Sequence, residues 1–445
     1  MKRITALFLI LVLALSLAGC NETAPSTVQP TEPKTAAPTA APTEAPTEAP
    51  TEAPTEAPTE EVRKVLHPLT EWPNYELSAD ATTDEIRAMA VKAFRDALTF
   101  EWYTDEPFTY AITNGQEFEM SNEVVYGGLP YTNAGSGLFQ WLLHYELGTG
   151  RVTGVDGSVN SFLGNSCAAG VMWGWSSVVT SIKWNITKEM TPYFGALEVG
   201  EYKINPDWRK YEEYQNTKMV IEENGIDVML RSYAAIKPAD ALVCWIEAST
   251  GHAIMSISDA TVVYKADGSI DPDESYIIIQ DQHKGQRGLK ESFMTEEDGQ
   301  KVYHSGHLGQ KMTFTYLLDK AFLPLTAAEF IGEKPYDVSA VTAVYPEGEM
   351  NKTRDLRSMT LKSPYKMVIL DFKVLDGDKV ISSGRTILDR DDIDNNTITN
   401  YKVSESNFGS DLYKVGEKGK KYRVVIEVLL ANGARLTAFD RELEF

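Results

Sequence analysis

The sequence predicts an α+β domain over residues 62–335 and an all-β sandwich over 336–445. Three observations lead there. Apolar residues between 83 and 182 recur at helical spacing, those from Ala241 onward fall in short β-branched runs between Gly, Asp and Pro turns, and from 336 alternation with hairpin turns takes over.

Two segments precede the folded part. Lys2 and Arg3 lead into the apolar run Ile4 to Leu17, and Leu17-Ala18-Gly19 then meets Cys20. The run is short for a membrane span, and a small-residue site sits directly before the cysteine. This pattern resembles a bacterial lipoprotein signal, which implies removal of residues 1–19, a lipid on Cys20 and a chain held outside the cytoplasm at the cell membrane. Residues 20–61 carry two TAAP units and then four TEAP units, Thr43 to Pro58. Proline at every fourth position and repeated glutamates keep such a tract extended and solvated, a stalk reaching on the order of 130 Å.

Thr82 with Glu85 forms a capping-box pattern, and Ile86, Met89, Ala90, Ala93, Phe94, Ala97 and Leu98 follow it, so a helix is expected from about Thr83 to Trp102. YGGLPYTNAGSG reads as a loop before the apolar stretch LFQWLLHYEL. From Cys167, the residues Val171, Met172, Trp175, Val178, Val179 and Ile182 mark a second helix with a buried stripe. Gly170 and Gly174 weaken its intrinsic propensity and permit close backbone approach. ALVCWIEAS, HAIMSISDATVVYK and SYIIIQDQ read as strands. In the last domain Val368, Leu370, Phe372 and Val374 alternate, Asp376-Gly377 makes a turn, and Asn432-Gly433 joins two runs as a hairpin, the pattern of an immunoglobulin-like sandwich.

Charge and cysteine usage narrow the function classes. A net charge of −22 argues against nucleic acid as a partner. Of three cysteines only Cys167 and Cys244 follow Cys20, so no disulfide framework holds the fold and a core must.

Cys167 stands at the start of a helix, where the dipole and a neighbouring imidazolium would both favour the thiolate. The bland alternatives are an inert core thiol or a disulfide with Cys244, which itself reads as core packing within a strand. Among six histidines, His252 follows a glycine turn at the head of an apolar strand and is the candidate base; His67 adjoins a proline near the stalk and His144 reads as structural. A third group should orient the ring. Alternation puts Ile277, Ile279 and Asp281 on one face of SYIIIQDQ and Tyr276, Ile278, Gln280 and Gln282 on the other. Asp281 is the first choice for the third group, with Gln280 and Gln282 as alternatives. No metal or other cofactor is implied. His304 and His307 lack further ligands, and Asp267, Ser269, Asp271 and Asp273 lack the closing glutamate of a calcium loop, so they read as an acidic hairpin tip.

A cysteine at a helix start, a Gly-His heading a strand and a polar residue ending an apolar strand, in that order, resemble the papain-like cysteine peptidases. GLPYTNAGSG, NSCAAG, KPADALV and TGHAIMSI, over roughly residues 100 to 290, are similar to the motifs of NlpC-type cell-wall peptidases. The chain departs from that pattern at Ser166, Ala168 and Ala239, which stand for Asp, Ser and Gly, and in the long hairpin between His252 and Asp281. The resemblance implies a papain-like, NlpC-like catalytic domain with Cys167, His252 and Asp281 as its catalytic residues. It also implies that Tyr131 assists an oxyanion site with the Cys167 N–H, and that the substrate is a peptide or peptidoglycan stem peptide. The competing expectation is a non-catalytic wall or glycan binder on a decayed peptidase fold, with Trp141, Trp173 and Trp175 recruited for sugar stacking. Neither expectation specifies an oligomeric state.

Overall fold

The structure, a computed structural model, describes residues 65–445 apart from 112–116, 133–136, 156–162, 183–194, 206–215, 248–249, 347, 349, 389–397 and 410–415. The expected leader, Cys20 and stalk lie outside the described residues. No helix among the described residues is long and apolar enough to cross a membrane.

The first helix, Thr83–Thr99, begins at the expected capping box: the Glu85 N–H donates to Thr82 Oγ1 at 3.3 Å and the Thr82 N–H to Glu85 Oε2 at 2.8 Å. It ends before Trp102, because Glu101–Thr104 is a strand lying between Val125–Gly127 and Arg151–Val152. Trp102 and Tyr103 suit a strand paired on both sides better than a fraying helix end. The helix that opens at Cys167 also stops early, at Ser176. Ser176 and Ser177 donate their hydroxyls to the Trp173 and Gly174 carbonyls, competing for acceptors that another turn would use. LFQWLLHYEL yields only the short helix Leu138–Trp141.

An antiparallel six-stranded sheet organises the middle of the chain. Its order is Leu308–Thr313, Tyr276–Asp281, Thr250–Ser256, Ala241–Glu247, Leu323–Thr326 and Leu197–Glu198. The Cys167 helix packs between this sheet and the first helix, and its glycines set the spacing. A Cβ on Gly170 would stand 2.7 Å from Phe94, and one on Gly174 would stand 2.8 Å from the Ala90 carbonyl. A buried ion pair ties the same layers together. Arg87 donates to Asp240 Oδ1 at 2.8 Å and also to the Pro238 and Phe330 carbonyls and the Thr326 hydroxyl, so its charge is fully solvated by protein.

The C-terminal part is β-sandwich-like. Lys379–Ile387, Met367–Asp376, Lys421–Leu430 and Arg435–Glu444 form one antiparallel sheet, and Thr342–Val344, Thr360–Lys362 and Asn400–Lys402 form the other. Phe372 of the first meets Tyr401 of the second with ring centroids 6.3 Å apart. Both expected turns, Asp376-Gly377 and Asn432-Gly433, join adjacent strands. Gly433 has φ +89, and a Cβ there would lie 2.4 Å from the Pro73 carbonyl. The hairpin tip thus abuts the segment before the first helix, where the Tyr75 N–H donates to the Asn432 carbonyl at 2.7 Å.

Candidate active site

Four elements bring the candidate residues together. Ser166 caps the Cys167 helix, its hydroxyl accepting from the Ala169 N–H at 3.4 Å, and the thiol sits beside the first turn, where backbone N–H groups lack intrahelical partners. The loop ending at Tyr131 is laid alongside this turn by a short parallel bridge to Asn165: the Asn165 N–H donates to the Pro130 carbonyl at 3.0 Å and the Thr132 N–H to the Asn165 carbonyl at 2.9 Å. Gly164 makes the approach possible, with φ +135 and a Cβ position only 2.4 Å from the Pro130 oxygen. The Tyr131 hydroxyl then lies 3.9 Å from Cys167 Sγ, as its donor.

His252 comes from the third strand of the sheet and Asp281 from the end of its neighbour, where Asp281 pairs with Ile254. His252 Nε2 lies 2.8 Å from Asp281 Oδ2. A carboxylate only accepts, so Nε2 carries the proton and Nδ1 is the nitrogen left to serve Cys167, whose thiol His252 lowers. The Asp281 side chain is 2% exposed and that of His252 is 25% exposed, so the ring keeps one edge toward solvent while its carboxylate is dry.

The electrostatics follow from these contacts. Burial pushes the Cys167 thiol up, but the hydrogen bond and charge of His252, the Ala253 N–H and the Tyr131 hydroxyl together bring it down to about 7. Burial opposes the imidazolium too, yet hydrogen bonds to Asp281 and Cys167, and their charges, hold His252 well above the ordinary histidine value. For Asp281 burial again works against ionisation, and the donors from His252 and His307 outweigh it, leaving the carboxyl far below its usual range. The arrangement favours a thiolate and imidazolium side by side near neutral pH, with a fixed anion behind the ring.

The alternatives for the third group and the sugar platform are corrected here. Gln280 and Gln282 do not reach the imidazole: Gln280 donates to the Val91 carbonyl at 3.1 Å and Gln282 to the Leu129 carbonyl at 2.7 Å, so the latter pins the Tyr131 loop. Trp141, Trp173 and Trp175 are at most 1% exposed and are core, which removes them as a sugar platform. Cys167 and Cys244 are not joined in a disulfide, and Cys244 lies opposite His252 across the strand pair, packed on the core. Asp267 and Asp271 accept from the Ser269 and Asp273 N–H groups two residues on, as ordinary turn carboxylates. Among the described residues no cluster of three or more His, Cys, Asp or Glu could hold a metal. His304 instead lies under Gly127, with Nε2 2.8 Å from the Thr295 hydroxyl.

Sequence reasoning missed His307. Its N–H donates to Asp281 Oδ1 at 2.8 Å, and its Nδ1 lies 2.9 Å from the same oxygen. A signal was available. Gly306-His307 is a second Gly-His pair directly before a strand, as Gly251-His252 is the start of one, and Gly306 admits no Cβ because one would stand 1.7 Å from the Asp281 carbonyl. His283 completes the cluster, its ring centroid 5.7 Å from that of His252 and stacked on Phe293. Burial, joined by the charge of His252, pushes His283 down to about 4, so it stands neutral beside the charged pair.

In comparisons with known proteins, no family model, no curated protein and no solved structure matches this chain.

Proposed function

We propose that this chain is a cysteine hydrolase with a papain-like, NlpC-like catalytic domain, and that it cleaves amide bonds in peptides. The observation that carries the reading is the line Cys167, His252, Asp281, with the thiol at a helix N-terminus and lowered to about 7 in spite of burial. A buried structural cysteine has no use for an imidazole held in one tautomer by a dry carboxylate.

In the proposed reaction the Cys167 thiolate adds to the carbonyl carbon, and the oxygen takes up negative charge facing the Tyr131 hydroxyl and the first N–H groups of the helix. His252 gives its Nδ1 proton to the leaving amine as the C–N bond breaks, leaving a thioester. Water then attacks the thioester, His252 takes the proton from the water, and the acid is released as the thiol reforms. The lipoprotein-like leader and the extended stalk support a location on the outer face of a bacterial membrane, anchored through Cys20. That location makes peptidoglycan stem peptides the favoured substrate.

The test is to incubate the purified protein and its Cys167→Ala variant with soluble wall fragments and weigh the products. Hydrolysis by the wild type alone, with each cleavage adding one water, supports the proposal. Joined products without added water would make the reaction an acyl transfer. Equal wall binding by both proteins without cleavage would make the chain a binder.

A further inference from the structure

The Asp281 carboxylate serves two imidazoles. Oδ2 accepts from His252 Nε2 at 2.8 Å, and Oδ1 accepts from His307 Nδ1 at 2.9 Å and from the His307 backbone at 2.8 Å. Because a carboxylate offers no proton, His307 must carry its hydrogen on Nδ1 whenever this contact exists, the reverse of the tautomer that Asp281 imposes on His252. The pairing is built by the backbone: the Asp281 N–H donates to the His307 carbonyl at 3.2 Å, and the ring of His307 is held against Phe293 with centroids 4.4 Å apart.

Resting on the cysteine-hydrolase reading above, we propose that His307 is a positioning residue that divides the charge of Asp281 between two imidazoles and so limits how tightly Asp281 binds the imidazolium form of His252. The physical reason is competition. Hydrogen bonds to an anion weaken as they are shared, and the Asp281 side chain, 2% exposed, has almost no water to buffer the loss or gain of a donor. His252 must be basic enough to take the thiol proton and acidic enough to give it to the leaving amine. An Asp281 bound to His252 alone would stabilise the imidazolium too well for the second task.

The groups of variable charge around Asp281 are few: His252 and beyond it Cys167, His307 before the neighbouring strand, and His283 on the segment after Asp281, which Lys290 also influences. With His307→Phe, which keeps a ring against Phe293 and the backbone donor, Oδ1 loses only the Nδ1–H. His307→Asn returns a neutral side-chain donor near the same place.

The experiment is a pH titration of the His252 ring signals in full-length protein labelled at histidine, with His252→Gln for assignment, alongside iodoacetamide labelling of Cys167. The His252 imidazolium should persist to higher pH in His307→Phe, by about one unit, the size expected for one hydrogen bond to a charged group. His307→Asn should fall near the wild type. An unmoved or lowered His252 titration in a folded His307→Phe protein would overturn the inference while leaving the Cys167 and His252 pair standing. If the wild-type thiol labels like an ordinary one and His252 titrates independently of it, the hydrolase reading fails and the inference falls with it. Should His307→Phe not fold, the nitrogen-15 spectrum of wild-type protein decides: His307 protonated only on Nε2 excludes the shared carboxylate, and protonation on Nδ1, lost in Asp281→Ala, supports it.

Discussion

Replacing His252 by alanine should disable Cys167 by a calculable amount. The folded thiol is brought to about 7 from an ordinary value of 9.0. Two units correspond to about 3 kcal/mol of differential stabilisation of the thiolate. At pH 6 about one-tenth of the wild-type thiol is ionised, against about one-thousandth at the ordinary value, a hundredfold difference in reactive species. Thiolates of lower basicity are weaker nucleophiles, which returns a factor of about eight. Alkylation of Cys167 by iodoacetamide at pH 6 should therefore slow about tenfold in His252→Ala, and its midpoint should move above 9.0, since the burial that pushes the thiol up remains. The assay is peptide mass spectrometry of Cys167 labelling from pH 5 to 10, with added free glutathione as the reference thiol and circular dichroism as the check on folding. Equal midpoints in the two proteins would refute the reasoning.

Three structural predictions concern the scaffold that aims these residues. Arg87→Met should destabilise the fold by about 3–5 kcal/mol in urea unfolding, because it strands the buried Asp240 carboxylate; a loss under 1 kcal/mol would mean the pair is replaceable by packing. Ala239 has φ +71, a conformation that penalises a Cβ, so Ala239→Gly should unfold at or slightly above the wild-type temperature, by about 0.5 kcal/mol, and a lower temperature would show that its buried methyl matters more. Gly433→Ala should cost at least about 1–2 kcal/mol, through both its φ and the clash with the Pro73 carbonyl; thermal unfolding indistinguishable from wild type would show that the tip does not need this contact.

Local chemistry made much of the fold legible. The capping box at Thr82 located the first helix start, the β-branched runs located three strands of the central sheet, and Asn432-Gly433 located a hairpin, because each depends on residues within a few positions of one another. Helix ends were less legible. The strand that starts at Glu101 and the serines after Trp175 end their helices through strand partners and hydroxyl contacts that periodicity does not register.

At the candidate site, sequence by itself determined that a cysteine would open a helix and that a histidine would head a strand, and alternation separated Asp281 from Gln280 and Gln282. Which of those faces meets the imidazole, and the entire role of His307, were decided by tertiary structure. Strand Leu308–Thr313 pairs with Tyr276–Asp281 in a register that sets His307 beside a carboxylate 26 positions earlier. That contact depends on long-range β pairing and on a glycine small enough to let two backbones meet at Gly306. A one-dimensional pattern specifies which groups can ionise, but their ionisation depends on burial and on neighbours that only the folded chain supplies.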